Sequence, residues 1–269
     1  MLETINQTIS YISRKIKNKP DVGIILGTGL AGLAKEIEVD TILNYEDIPN
    51  FPVSTVEGHH GKLIFGVLGG KKVMAMQGRF HFYEGYAMHQ VTFPVRIMKF
   101  MGIRTLFVSN ASGGINPAFE IGDLMIINDH INLLPNPLIG KHYDEFGPRF
   151  PDMSKTYDLN LIKKAEKIAM TNGIKTQKGC YVGVTGPTLE TPKEYEYFRA
   201  IGGDTVGMST VPEVIVARQM GMSCFAISIV TDLGVPGKIK EVKLEEILKV
   251  AEKSEPKMTL IMKELIQEL

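Results

Sequence analysis

A short segment near residue 80 carries three side chains that are suited to binding an anion or a sugar. The segment Gln77 to Gly85 places Arg79, His81 and Tyr83 at alternate positions between glycines. In an extended segment, alternate side chains project from one face, so a guanidinium, an imidazole and a phenol would lie together. The planar fork of donors on a guanidinium favours an oxyanion as the ligand. Taken alone, the segment is slightly more typical of a solvated strand end.

Two glycine-rich segments follow predicted strands and offer backbone amides to a ligand. Gly27 to Leu30 follows an apolar run, and glycine allows a tight turn into a helix whose free amides bind anions. No Lys-Ser/Thr pair follows, so this is not a Walker loop. Asn110 to Gly114 closes a second strand, where small residues let a ligand approach the backbone closely. An ordinary turn explains either segment equally well.

Two predicted helix starts carry polar side chains that are able to face a ligand. Thr191 is predicted to cap the helix that begins at Pro192, which leaves Glu190 outside the cap. Ser209 or Thr210 is predicted to cap the helix that follows, and a helix start with a free hydroxyl suits an anion. For each of these residues alone, a surface position or a purely capping role is the better interpretation.

Asp232, preceded by Thr231, ends the apolar strand Ser223 to Val230. Open α/β sheets bind ligands at the carboxyl ends of their strands, so this carboxylate is a candidate ligand contact, although it could equally cap the next turn. The adjacent pair His59 and His60 points to opposite faces of an extended segment and cannot chelate one ion. No other His or Cys lies at a metal-ligand spacing, so we predict no metal site.

Strand-like runs alternate with helical ones along the chain, which predicts a single α/β domain over residues 1–269, with a largely parallel sheet covered on both faces. The predicted strands are 22–26, the hairpin 62–76, 105–109, 124–127, 180–184 and 223–230. The predicted helices are the N-terminal segment, 31–37, 87–101, 159–172, 192–201, 211–220 and the tail from 242, with a kink near Pro256. Residues 132–157 form a long irregular region, which usually serves a site or an interface.

The composition excludes several classes of partner. The 30 basic and 30 acidic side chains cancel, and no block of like charge indicates a nucleic-acid tract or an anionic membrane surface. The N-terminal segment has the periodicity of an amphipathic helix, and no apolar run reaches membrane-spanning length. Cys180 and Cys224 lie in apolar runs, so we expect reduced core residues in a cytoplasmic protein.

Several long motifs in order resemble the trimeric purine nucleoside phosphorylases over nearly the whole chain. They are QGRFHFYEGY from Gln77, VTFPVR from Val91, SNASGGINP from Ser109, FGPRFPDMS from Phe146 and DTVGMSTVPEVIVAR over 204–218. The resemblance implies a single-domain mixed sheet that is partly barrel-like and a homotrimer. It also implies cleavage of purine (deoxy)nucleosides by inorganic phosphate, which is a co-substrate, with no cofactor. The products would be the free base and a pentose 1-phosphate with inverted anomeric configuration.

The resemblance also assigns roles to individual residues. The implied phosphate contacts are Thr28, His59, Arg79, His81, Ser209 and the amide of Ala111. The implied nucleoside contacts are Tyr83, Phe150 from a neighbouring subunit, Tyr181, Leu189, Glu190, Met208, Thr231, Asp232 and Leu244. Among these residues, His81, Glu190 and Asp232 are expected to take part in catalysis.

Three of these positions depart from the family pattern. Leu189 replaces the usual Phe, Asp232 stands where enzymes for 6-oxopurines usually carry Asn, and Leu244 stands where many members place His. Relatives that act on 5′-methylthioadenosine share the last two features but lack an acid at the position of Glu190. We therefore expect inosine and guanosine to be preferred. The first alternative is a phosphorylase of 5′-methylthioadenosine or adenosine. A noncatalytic nucleoside-binding protein is a second alternative that the sequence favours less.

Overall fold

The fold is described by a computed structural model for residues 1–27, 31–53 and 61–269. Nine strands in these residues form one mixed sheet in the order β2-β3-β4-β1-β5-β8-β7-β6-β9. The strands are β1 (Val22–Leu26), β2 (Glu38–Asn44), β3 (Lys62–Leu68), β4 (Lys71–Gln77), β5 (Thr105–Gly114), β6 (Leu124–Asn132), β7 (Thr176–Gly183), β8 (Thr205–Gly207) and β9 (Ser223–Leu233).

The second half of the sheet closes on itself. Strand β9 pairs with β6 at the end of the order and also lies parallel to β5, so β5, β8, β7, β6 and β9 form a closed ring. Strands β4, β1, β5 and β9 run parallel, whereas β2 and β3 are antiparallel to their neighbours. The expected single α/β domain with a mixed, partly barrel-like sheet is therefore confirmed.

Helices pack against this sheet in two groups, α1, α3, α4 and α7 in one, and α2, α5 and α8 in the other. Their bounds are α1 (Leu2–Ser13), α2 (Gly32–Lys35), α3 (Met88–Val91), α4 (Phe93–Phe100), α5 (Leu159–Thr171), α6 (Pro192–Ala200), α7 (Val211–Gln219) and α8 (Leu244–Gln267). Within the described ranges, no helix has the length and apolar composition that crossing a bilayer requires.

The structure departs from the sequence-based prediction in three places. The helix expected over 87–101 is two helices that meet at Thr92, because Pro94 lacks a donor and lies in the first turn of a new helix. Strands β2 and β8 were not predicted, because β2 is mostly exposed and polar and β8 has only three residues. Helix α2 ends at Lys35 rather than at residue 37, because the chain enters β2 at Glu38. The helical tail is confirmed as α8, which contains Pro256, and the kink expected there stays a prediction.

Strands β7 and β8 approach closely beneath the carboxyl end of the ring. Tyr181 on β7 is fully buried, and its hydroxyl accepts a hydrogen bond from the backbone N–H of Ser209 at 3.3 Å. A Cβ atom added to Gly207 on β8 would overlap that hydroxyl. Gly207 is therefore required for the close approach that orients the chain entering α7.

We expect Gly207→Ala to destabilise the protein by about 1–3 kcal/mol, because an added methyl group in a filled space forces its neighbours to move. Chemical denaturation would measure the loss. Tyr181→Phe removes the overlapping hydroxyl, so the double variant should recover part of the stability lost by Gly207→Ala alone. Strict additivity of the two changes would show that the hydroxyl is not the obstacle.

Candidate active site

A cavity at the carboxyl ends of β4, β5 and β9 brings together most of the residues that the sequence marks as functional. It is also lined by the segments that precede α6 and α7 and by the first turn of α8. The predicted site residues that line it are Arg79, His81, Tyr83, Ala111, Leu189, Glu190, Met208, Ser209, Thr231, Asp232 and Leu244. Residues that are distant along the chain therefore converge as the strand-end pattern predicts.

Two predicted residues lie elsewhere in the structure, and two fall on parts of the chain that it does not describe. Thr28 and His59 lie outside the described residues. Tyr181 is buried beneath the cavity wall, where its hydroxyl binds the backbone of Ser209. Phe150 is 88% exposed and borders a separate depression beside Met153.

Arg79 forms the cationic end of the cavity although its side chain is almost fully buried. One terminal nitrogen donates to the Ser209 hydroxyl at 2.9 Å, and the other lies 3.5 Å from the carbonyl oxygen of Ile25. The Nε atom lies 3.4 Å from the carboxylate of Glu213, which is also buried. The guanidinium is thus held in one orientation with part of its fork towards the cavity.

His81 lies beside this arginine and is oriented by an acid of its own turn. Its backbone N–H donates to the carboxylate of Glu84 at 2.8 Å, and its Nδ1 lies 3.1 Å from the same oxygen. The imidazole stacks on the Tyr83 ring, with centroids 4.7 Å apart. Burial lowers the pKa of His81, although the Glu84 carboxylate acts in the opposite direction.

The chain around these rings is not the extended segment that the alternating side chains suggested. Phe82 to Glu84 form a 3₁₀ turn, and Gly85 follows with φ 90° in the left-handed region. The three predicted side chains still share one cavity, because the turn brings Tyr83 back over His81. The prediction of a common face is confirmed, although its geometric reason was wrong.

The opposite end of the cavity is acidic. Burial raises the pKa of both Glu190 and Asp232, and the Asp232 charge raises that of Glu190 further. The Tyr195 hydroxyl donates to Glu190 and favours its ionised form. The Thr231 hydroxyl donates to Asp232 at 2.9 Å. Because the Asp232 charge adds to the cost of ionising Glu190, a state in which one of the two acids keeps a proton is favoured.

The predicted capping roles have mixed outcomes. Thr191 caps α6, and Glu194 completes the capping box as expected. Thr210 occupies the N-cap position of α7, but the prediction that its hydroxyl caps the helix is wrong. That hydroxyl instead accepts from the side-chain amide of Asn110 at 2.9 Å.

Sequence reasoning missed the residues that support the site from behind. Glu84 follows His81 by three positions, and Glu213 stands third in α7 after the Thr210 cap. Each spacing is the signature of a capping-box acid, which is the available signal. Tyr195 also contacts Glu190 from the first turn of α6. Its partner is recognisable only from the fold.

A test of the acidic end uses the titration of Glu190. Tyr195→Phe removes a donor that stabilises the carboxylate, so the Glu190 pKa should rise, whereas Asp232→Asn removes a neighbouring charge and should lower it. Carbon-13 NMR of labelled glutamate side chains would follow both shifts. Tyr197→Phe, which is 54% exposed on the same helix, is the matched control. Identical titrations in all four proteins would contradict this arrangement.

The sequence matches the model of the Phosphorylase superfamily over residues 21–267. A relative from Bacillus subtilis, "Purine nucleoside phosphorylase 1", is 52% identical over 254 residues, which cover 94% of each chain.

Two solved structures of purine nucleoside phosphorylases from Schistosoma mansoni share the fold. One is described as isoform 2 in complex with cytosine and ribose-1-phosphate; it is 42% identical, with a TM-score of 0.95, and the match covers 99% of this chain and 96% of that one. The other is described as a complex with hypoxanthine; it is 40% identical, with a TM-score of 0.94, and the match covers 100% and 98%.

Proposed function

Because this chain belongs to the purine nucleoside phosphorylases of the phosphorylase superfamily, we propose that it transfers the pentose of a purine nucleoside to inorganic phosphate. The reversible reaction yields a free purine base and a (deoxy)ribose 1-phosphate. One observation carries the proposal: a single cavity has a cationic end at Arg79 and an acidic end at Glu190 and Asp232. Phosphate is the co-substrate, and the chemistry requires no cofactor.

The cationic end binds and positions the phosphate. Arg79 and the Ser209 hydroxyl are already held together at 2.9 Å, so they present their donors without further ordering. His81 and the backbone amide of Ala111 line the same end of the cavity. A phosphate oxygen attacks C1′ as the bond from C1′ to the base nitrogen breaks, and the electron pair of that bond moves to the purine. Fixing the nucleophile against C1′ contributes much of the acceleration.

The acidic end stabilises the departing base. The purine gains negative charge as the bond breaks, so a donor at N7 lowers the barrier. In the complex with dianionic phosphate, a protonated Asp232 supplies that donor, since burial raises the Asp232 pKa and the charge of the phosphate favours the protonated form further. The ionised Glu190 accepts a hydrogen bond from N1–H of the base. In this assignment Asp232 is protonated and donates to the base, whereas Glu190 is ionised and accepts from it.

The same assignment sets the base preference. Hypoxanthine and guanine present N1–H to Glu190, whereas adenine presents a bare acceptor that a carboxylate repels. Leaving such a buried pairing unmade costs about 1–3 kcal/mol. Inosine and guanosine are therefore the preferred substrates, with adenosine slower. An ionised Asp232 would act against this preference, because it repels O6 and accepts from the adenine amino group.

The sugar lies between the two ends, against Tyr83 and Met208, with Leu189 near the base. Leu244 and Ile247 of α8 form an apolar wall on the same cavity. This wall favours a second candidate activity, in which 5′-deoxy or 5′-thioalkyl nucleosides are accepted beside the 5′-hydroxyl compounds.

Phe150 supports a proposed homotrimer. Its side chain is 88% exposed within the long loop and shares a depression with Ile139, which is 80% exposed; neighbouring exposed apolar side chains are typical of an interface. In the proposed assembly it contributes to the active site of a neighbouring copy. Cys180 and Cys224 are both free thiols, which supports a cytoplasmic location.

Hydrolysis, binding and phosphorolysis are separated by one measurement. Inosine cleavage, followed by ultraviolet absorbance, should require phosphate and should yield one ribose 1-phosphate for each hypoxanthine. Equal cleavage in phosphate-free buffer would identify a hydrolase, and no cleavage under either condition would identify a binding protein. Arg79→Met, which removes the cationic fork, should raise the KM for phosphate at least tenfold.

The base preference should depend on pH through Asp232. The pKa of Asp232 is raised, so the protonated form persists at lower pH and is lost as pH rises. The ratio of kcat/KM for inosine to that for adenosine should therefore fall with rising pH. Asp232→Asn keeps a donor at every pH, so its ratio should stay high and flat. An adenosine rate above that of inosine at all pH values would reverse the assignment.

The second candidate activity is tested with 5′-methylthioadenosine as the substrate. Its turnover would show that the apolar wall formed by Leu244 and Ile247 accepts a 5′-thioalkyl group.

A further inference from the structure

A buried carboxylate lies directly behind the arginine of the cationic end. The Glu213 side chain is 4% exposed, and its Oε1 lies 3.4 Å from the Nε of Arg79, which is 1% exposed. Glu213 does not line the cavity, so it has no contact with a ligand there. A buried pair of this kind is costly to assemble, and its desolvation offsets much of what the attraction contributes to stability.

The same carboxylate reaches the backbone of the loop that precedes α7. It accepts a hydrogen bond from the backbone N–H of Thr210, which has φ 63° although it is not glycine. A β-branched residue in this region is strained and persists only where its surroundings impose it. Glu213 therefore joins Arg79 to the one residue whose conformation sets the position of Ser209.

A chain of buried hydrogen bonds holds Thr210 from the other side. The side-chain amide of Asn110 donates from Nδ2 to the Thr210 hydroxyl at 2.9 Å, and its Oδ1 accepts from the Ser228 hydroxyl at 2.6 Å. The Ser112 and Ser228 hydroxyl oxygens lie 2.6 Å apart and share a hydrogen bond. These contacts link the Thr210 loop to the neighbouring strands β5 and β9. Rigid strands thus fix one side of the loop, and Glu213 fixes the other.

We propose that Glu213 is a positioning residue for the phosphate, which aligns the Arg79 guanidinium and the Ser209 hydroxyl as one receptor. This inference rests on the proposed function, since it assumes that phosphate binds at Arg79. By holding Nε from behind, Glu213 leaves one terminal nitrogen of Arg79 directed at the Ser209 hydroxyl, while the other lies beside the Ile25 carbonyl. By holding the Thr210 N–H, it keeps Ser209 within reach of the same guanidinium.

The sign of the effect distinguishes positioning from simple charge. A carboxylate close to a doubly negative ligand repels it, so neutralising Glu213 should strengthen phosphate binding if only charge matters. Positioning predicts the opposite, because an arginine without its partner loses its alignment. Glu213→Gln and Glu213→Asp separate the two explanations. The first removes the charge at nearly constant shape, and the second keeps the charge but withdraws it by one methylene group.

The experiment measures the KM for phosphate at saturating inosine and the KM for inosine at saturating phosphate. Both variants should raise the phosphate KM about tenfold or more, while the inosine KM changes less than about threefold. Arg218→Gln is the matched control, since it removes a hydrogen bond to the Met222 carbonyl at the other end of α7. Its two KM values should equal those of the wild type.

The possible failures are distinguishable. If wild-type protein cleaves inosine without phosphate, the proposed function is wrong. If the wild type depends on phosphate but Glu213→Asp and Glu213→Gln bind it as well or better, the function stands and the positioning role is wrong. Thermal unfolding of each variant checks that it is folded. Glu213→Asp keeps the buried charges balanced, so it remains informative if the glutamine variant does not fold.

Discussion

The burial of a guanidinium is the constraint on which the rest of the site depends. Arg79 is almost fully removed from water, so the chain must supply acceptors that replace the hydration of its guanidinium. Ser209, Glu213 and the Ile25 carbonyl come from three different elements, and each contacts a different nitrogen of the fork. An arginine held in this way is preorganised, and an incoming oxyanion does not have to order it. The precision at the cationic end is therefore a property of the packing behind it.

The acidic end is organised by a different principle. Glu190 and Asp232 share one cavity, and each lies close to a hydroxyl donor, from Tyr195 and Thr231 respectively. The donors lower the cost of ionisation, burial raises it for both acids, and the Asp232 charge raises it further for Glu190. Environment, and not residue type alone, therefore decides which acid donates and which accepts. Because Asp232 titrates, which an amide would not, the balance between the two acids depends on pH.

The parts of the fold and site that were predictable from sequence are those with local signals. Continuous apolar runs identified β1 and β5, and the threonine-proline start identified α6. The strand-end rule placed Asp232 in the cavity. Glu213 was not predictable, because an acid in the first turn is an ordinary helix feature and its partner Arg79 is far away in sequence. The 3₁₀ turn at Phe82 was not predicted, because polar side chains at alternate positions, as at Arg79, His81 and Tyr83, are also typical of an extended segment.

Because the ring is closed, the sheet has one unpaired edge strand in the described part of the chain, and that strand is β2. The unpaired N–H and C=O groups of an edge strand can pair with a strand of another molecule, which leads to aggregation. In β2, Glu38 and Asp40 place charge along the edge, and a register shift between Val39 and Thr41 interrupts the regular pattern of backbone hydrogen bonds. The exposed Val39 and Ile42 are thus accompanied by features that oppose fibril growth. Association of folded molecules through their sheets is therefore opposed at this edge, on the strand farthest from the ring in the order of the sheet.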